Sequence, residues 1–186
     1  MIVTTTPARI SSHIRKLCAR LGIGWKPQFI QVAPRHDSGH LDCFNDVQRH
    51  ISENGGSIVH GWLLWEWPNV LVEAEFHAVW KSPDGKLLDV SEKPQGETTI
   101  LFVEDKTRIF TGSSVDNVRM AVGNDPRIME FIAGKEQFHR MFQKEFGDFV
   151  GEVVVEGELA LLHDALGVLA NDILLSSLQR GGGVAS

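Results

Sequence analysis

The chain is poor in cysteine: only Cys18 and Cys43 occur in 186 residues. Two thiols cannot build the dense disulfide framework of a small secreted domain, so the fold has to rest on a hydrophobic core. Excess positive charge is also missing. Eighteen Lys and Arg against 24 Asp and Glu give a net charge of −6 and a pI near 5.7. That balance argues against a polyanionic nucleic-acid backbone as the main partner. No apolar run approaches the ~20 residues that span a bilayer. Residues 1–7 lack the basic-then-apolar pattern of an export signal. The expectation is a cytoplasmic protein with no membrane or nucleic-acid partner. Tyrosine is absent beside five tryptophans; no functional account of that follows.

What is present is ordinary in amount and specific in arrangement. Hydrophobic content is 42% and charged content 23%, enough for one sizeable core. There is no repeat and no low-complexity linker. Residues 1–180 read as a single α+β domain, and residues 181–186, with three consecutive glycines, as a flexible tail.

Pattern and punctuation predict the elements. Thr6-Pro7 starts a first helix over 8–21, with Ile10, Ile14, Leu17 and Leu21 as its apolar stripe and Gly22 ending it. Residues 25–32 read as extended and 34–40 as a loop. Asp42 caps a helix to about Asn54, ended by Gly55-Gly56. Strands at 58–67, 70–81 and 86–90 form an antiparallel meander, joined by Pro68-Asn69 and by Ser82-Pro83-Asp84-Gly85. Further strands are expected at 98–103, 106–110 and 150–155, and a short helix at 115–122. A helix from Asp125-Pro126 to about 146, broken near Gly134, and another over 158–178 complete the chain.

Three residues stand out for their order: Cys43 at a helix start, His77 on a strand, Asp89 on the next strand. A nucleophile, a base and an orienting carboxylate are the minimum set for thiol-based acyl transfer. Unpaired N–H groups at a helix start favour a thiolate, and the Cys43 N–H is a candidate oxyanion donor. Strand alternation puts Val70, Val72, Ala74, Phe76, Ala78 and Trp80 on a core face. Leu71, Glu73, Glu75, His77 and Val79 fall on the other. The Ser-Pro-Asp-Gly turn sets Val79 opposite Asp89, on the face of His77 and diagonal to it. A two-residue loop at Pro68-Asn69 would set His60 opposite His77 and Trp62 opposite Glu75. Trp62, Glu75 and His60 are therefore candidate substrate-binding residues. Gln31, upstream of Cys43 like Gln28, is a candidate oxyanion-hole glutamine.

Leu41-Asp42-Cys43 with Val47-Gln48 resembles the nucleophile segment of NlpC-like peptidases in the papain-like superfamily, and His77-Ala78-Val79-Trp80 resembles their histidine strand. Transglutaminase-like proteins share the order Cys, His, Asp. The resemblance covers about residues 41–90. It implies a papain-like core, a Cys-bearing helix on an antiparallel sheet bearing His and Asp, with added C-terminal helices. It also implies a thiol hydrolase or acyltransferase acting on an amide, isopeptide or thioester of a peptide or other acyl-containing substrate, with no cofactor. The family's Ser-Gly after the nucleophile is Phe44-Asn45 here, and the Cys43-to-His77 spacing is short. Two alternatives stand beside it: a non-catalytic interaction domain on such a scaffold, and zinc held by His36, His40 and Cys43 with His60 or His77 as fourth ligand.

Overall fold

The computed structural model describes residues 4–23, 26–38, 43–147 and 153–181. Among them run α1 (Ser12–Arg20), β1 (Gln28–Gln31), α2 (Cys43–Asn54), β2 (Ser57–Trp67), β3 (Leu71–Lys81), β4 (Leu87–Leu88), β5 (Thr99–Glu104), β6 (Val118–Ala121), α3 (Pro126–Phe146) and α4 (Gly157–Gly181). The class is α+β. The sheet order is β1-β5-β2-β3-β4, with β6 also on β3. Every strand pairing is antiparallel.

This sheet nearly closes on itself. Just beyond β1 and β4, Val32 and Asp89 form a parallel bridge. Asp89 N–H donates to the Gln31 carbonyl at 3.0 Å, Ala33 N–H to the Asp89 carbonyl at 2.8 Å, and Arg35 N–H to the Val90 carbonyl at 2.9 Å. The concave face is filled by Ile30, Leu63, Trp65, Val79, Ile100 and Phe102. On the convex face α1 buries Ile14, Leu17 and Cys18 against Trp62, Leu64, Val72 and Leu101. There α2 packs Val47 onto Ala78 and Val90. At the end of the β2–β3 hairpin, α3 and α4 close over Trp67, Val70 and Leu71 with Ile128, Ile132 and Ile173.

The register of β2 differs from expectation by one residue. Trp67 pairs with Leu71, so the connection is the three residues 68–70, and Gly61 rather than His60 faces His77. Asn69 adopts φ +62°, a left-handed conformation that asparagine tolerates. A one-residue shift turns every side chain of a strand over. Trp62, now opposite Phe76, joins the convex face, while Leu63 and Trp65 point into the concave one.

Other elements are also corrected. The first helix begins at Ser12, capped by Ser11, because the preceding segment is drawn along the sheet: Thr5 bridges Glu66, and Thr6 Oγ1 donates to the Thr99 carbonyl at 2.9 Å. The expected helix at 115–122 is strand β6, paired with Leu71 to Ala74 of β3; an open sheet edge overrides its local pattern. No strand forms at 106–110, where Asp105 instead folds a turn by accepting from Thr107 N–H at 2.9 Å. α3 runs unbroken through Gly134, where a Cβ would lie 2.6 Å from Leu166 Cδ2, so the glycine serves a close α3–α4 approach. Of the strand expected at 150–155, residues 150–152 lie outside the described residues and 153–155 are irregular. Of the tail expected at 181–186, Gly181 ends the last helix and 182–186 lie outside the described residues.

The apolar character of α4 exceeds the sequence expectation. Gly157–Gln179, at mean hydropathy 1.4, is long and apolar enough to cross a membrane by length and composition. Leu159, Leu166 and Ile173 are buried, whereas Leu161, Val168 and Leu175 are exposed.

Candidate active site

The site grows out of a gap in strand pairing. One edge of β3 pairs with β6 through Ala74 and with β4 from Trp80 onward. Among the described residues, the segment 75–79 between them has only β2 as a sheet neighbour. A cavity of about 480 Å³ opens at this gap, and side chains from both faces of β3 reach it: Glu75 and His77 from one, Phe76 from the other. Cys43 and Phe44 line it from the start of α2.

One turn brings His77 and Asp89 together. Gly85 at φ +90° lets the 82–85 turn close, with Ser82 N–H on the Lys86 carbonyl at 2.9 Å. Lys81 then pairs with Leu87 and Trp80 with Leu88, the register expected for placing Asp89 beside His77. His77 Nε2 donates to Asp89 Oδ2 at 2.8 Å. Its Nδ1 makes no hydrogen bond among the described residues. Asp89 is fully buried and His77 is 2% exposed. Gly61 opposite His77 is required: a Cβ there would lie 2.2 Å from the Val103 carbonyl oxygen and 2.5 Å from the Phe102 ring.

Lys93 enters the same network. Its Nζ lies 2.9 Å from Asp89 Oδ2 and 3.5 Å from His77 Nε2, while Asp89 Oδ1 accepts the Ser91 N–H at 3.0 Å. Burial opposes the charge of Asp89, but His77, Lys93 and the Ser91 N–H outweigh it and hold the carboxyl below its usual range. Burial likewise opposes a charged His77. Its electrostatic interactions with Cys43 and then Asp89 overcome it, and Lys93 pulls the other way; the result is a pKa raised to about 10. A protonated imidazole beside Cys43 is thus the stable form at neutral pH.

The remaining candidates divide. Glu75 lines the cavity and accepts the Trp65 indole N–H at 2.8 Å. Trp62 does not belong to that wall: on the convex face it donates to Asp105 Oδ2 at 3.0 Å, with the Arg108 guanidinium 5.4 Å from its ring centroid. His60 shares that face, stacked 6.0 Å from Phe44 and 6.2 Å from Phe76 between ring centroids. Gln31 acts through its main chain, accepting the Asp89 N–H, and its side chain is exposed. His36 is exposed and His40 lies outside the described residues. Among the described residues no three His, Cys, Asp or Glu group to hold a metal ion.

The sequence reading missed several residues of the cavity. Lys93 follows β4 in an irregular segment, where spacing carries no information about direction. Arg119 arrives with β6 and pairs with Glu73 and Asp116, each at 3.0 Å. From α3 come Lys135, Phe138, His139 and Phe142. Their spacing marks one helix face, but no local signal says what that face meets. Searches against protein-family models, curated proteins and solved structures return no match for this chain, so the reading of the site rests on its own chemistry.

Proposed function

We propose that the protein is a cysteine-dependent hydrolase or acyltransferase with a papain-like arrangement of Cys43, His77 and Asp89. The observation that carries the reading is the buried His77–Asp89 pair, whose imidazole opens onto the same cavity as a cysteine at a helix start. The chain order of nucleophile helix, histidine strand and carboxylate strand supports it.

In the reacting centre Cys43 gives up its proton to His77. Cys43 Sγ attacks an amide, isopeptide or thioester carbonyl, and the oxygen takes up negative charge at the helix start, where the Cys43 N–H lies outside the helical ladder. Collapse breaks the carbonyl carbon's bond to the leaving nitrogen or sulfur, and His77 supplies the proton to that group. A thioacyl-enzyme remains. His77, now neutral, takes a proton from water or an amine as it attacks the thioester, and the thiol is released. Asp89 orients the ring throughout and stabilises its positive form. Hydrolysis, deamidation and transamidation differ only in the leaving and attacking groups.

The test is alkylation of the native chain by iodoacetamide at about pH 6, where free thiols react slowly. Cys43 is expected to react faster than glutathione and to lose that advantage in His77→Ala. A Cys43 that reacts no faster than glutathione and ignores His77 would falsify the reading.

A further inference from the structure

Most charged groups lining the cavity are ion-paired or hydrogen-bonded. Arg119 is paired with Glu73 and Asp116, Lys93 with Asp89, and Glu75 accepts the Trp65 indole N–H. Lys135 is different. It lines the same cavity as Cys43 and His77, and no carboxylate among the described residues lies within ion-pair distance of its Nζ. Its Nζ lies 6.0 Å from the centroid of the Phe138 ring.

An amine in that position is held at a cost. Burial, and then the neighbouring Arg119, pull its pKa below the ordinary lysine value, and Glu73 and Asp116 offset this only in part. Charged groups removed from water are stabilised by a partner at hydrogen-bond distance, and such a bond is stronger in a low-dielectric site. Beside Lys135 the wall is aromatic: Phe138 and Phe142 line the cavity, with ring centroids 6.2 Å apart. The wall therefore combines an amine without an ion pair among the described residues with apolar rings, and Cys43 lines the same cavity.

We propose that the cavity takes a carboxylate-bearing substrate, its carboxylate paired to Lys135 Nζ and its apolar part laid against Phe138 and Phe142. Resting on the acyl-transfer reading above, this names the substrate class: an amide, isopeptide or thioester whose acyl or leaving portion ends in a free carboxylate. Lys135 is then a specificity-determining residue. It selects the negative end, while Cys43 and His77 act on the carbonyl.

The experiment compares 4-phenylbutyrate with 4-phenylbutyramide, which differ only in charge and the terminal group. Binding to the full chain is read from tryptophan fluorescence, with Trp65→Phe identifying the signal from the cavity. The acid is expected to bind about tenfold tighter than the amide or more, as for one charge-assisted hydrogen bond. Lys135→Met should abolish the preference and Lys135→Arg retain it, both checked for native circular dichroism. Equal binding of acid and amide, or a preference that survives Lys135→Met, overturns the proposal. Iodoacetamide labelling of Cys43 in the same samples separates the two readings. A charge preference with an inert Cys43 leaves the carboxylate site standing and removes the acyl chemistry. A reactive Cys43 without charge preference removes only the substrate class.

Discussion

Lys93 and His77 reach the same oxygen of Asp89: Nζ at 2.9 Å and Nε2 at 2.8 Å from Oδ2. His77 thereby shares its carboxylate with a buried lysine. Lys93 weakens the hold of Asp89 on the imidazolium, and so acts as a positioning residue that tempers its basicity.

Removing either partner should have unequal effects. Asp89→Asn leaves two buried cations without their carboxylate, and such a loss costs about 3–5 kcal/mol. Lys93→Met leaves Asp89 with His77 and the Ser91 N–H and should cost clearly less. Urea denaturation of the two variants checks the order. NMR titration should also show the His77 pKa moving upward in Lys93→Met.

The pH dependence of stability follows from His77. Its folded pKa is raised, from 6.5 to about 10. A raised pKa means the folded state binds the proton more tightly than the unfolded chain. This stabilisation is complete below about pH 6.5 and fades as pH rises towards 10. The melting-temperature advantage of the native chain over His77→Gln should shrink across that window, each 1 kcal/mol appearing as about 2–4 °C. An advantage that grows with pH would contradict the assignment.

Gly61 permits the Phe102 ring and the Val103 carbonyl to pass directly behind His77. The added methyl of Gly61→Ala meets main chain on one side, which cannot move without disturbing the β2–β5 pairing. A loss of about 1–3 kcal/mol is expected, read by chemical denaturation. Alkylation of Cys43 should slow in the same variant as His77 shifts.

Cys18 provides an internal reference. It is wholly buried under α1, and burial pushes its thiol up to about 11. In the native protein it should resist iodoacetamide at neutral pH and become reactive only as the chain unfolds. Mass spectrometry of labelled peptides separates it from Cys43. Labelling of Cys18 at the rate of a free thiol would show that the α1 face opens readily.

Much of this architecture was legible because turns are local. Ser82-Pro83-Asp84-Gly85 specifies its own hairpin, and the β3–β4 register that brings Asp89 to His77 follows from those residues alone. Pro68-Asn69 misleads by the same logic. As a dipeptide it reads as a two-residue loop, but Val70 joins it, and that one residue exchanges Trp62 for Trp65 at the cavity. Nor does any local pattern announce that 118–121 completes the edge of β3, or that 99–104 inserts between β1 and β2. Those choices belong to edges that exist only once the sheet has formed. Lys135 and Phe138 share a helix face in the sequence, but the partner of that face is decided by how α3 lies over the gap.

The seam that closes the sheet joins the two halves of the proposed reaction centre. Three main-chain hydrogen bonds tie residues 31–35 to Asp89 and Val90, so the chain leading to the nucleophile helix is stitched to the segment that carries the carboxylate. Opening this seam is expected to part Cys43 from Asp89 while α2 and the β2–β3 hairpin stay folded, at less cost than global unfolding. Deuterium uptake at the Ala33, Arg35 and Asp89 amides would count how often that opening occurs.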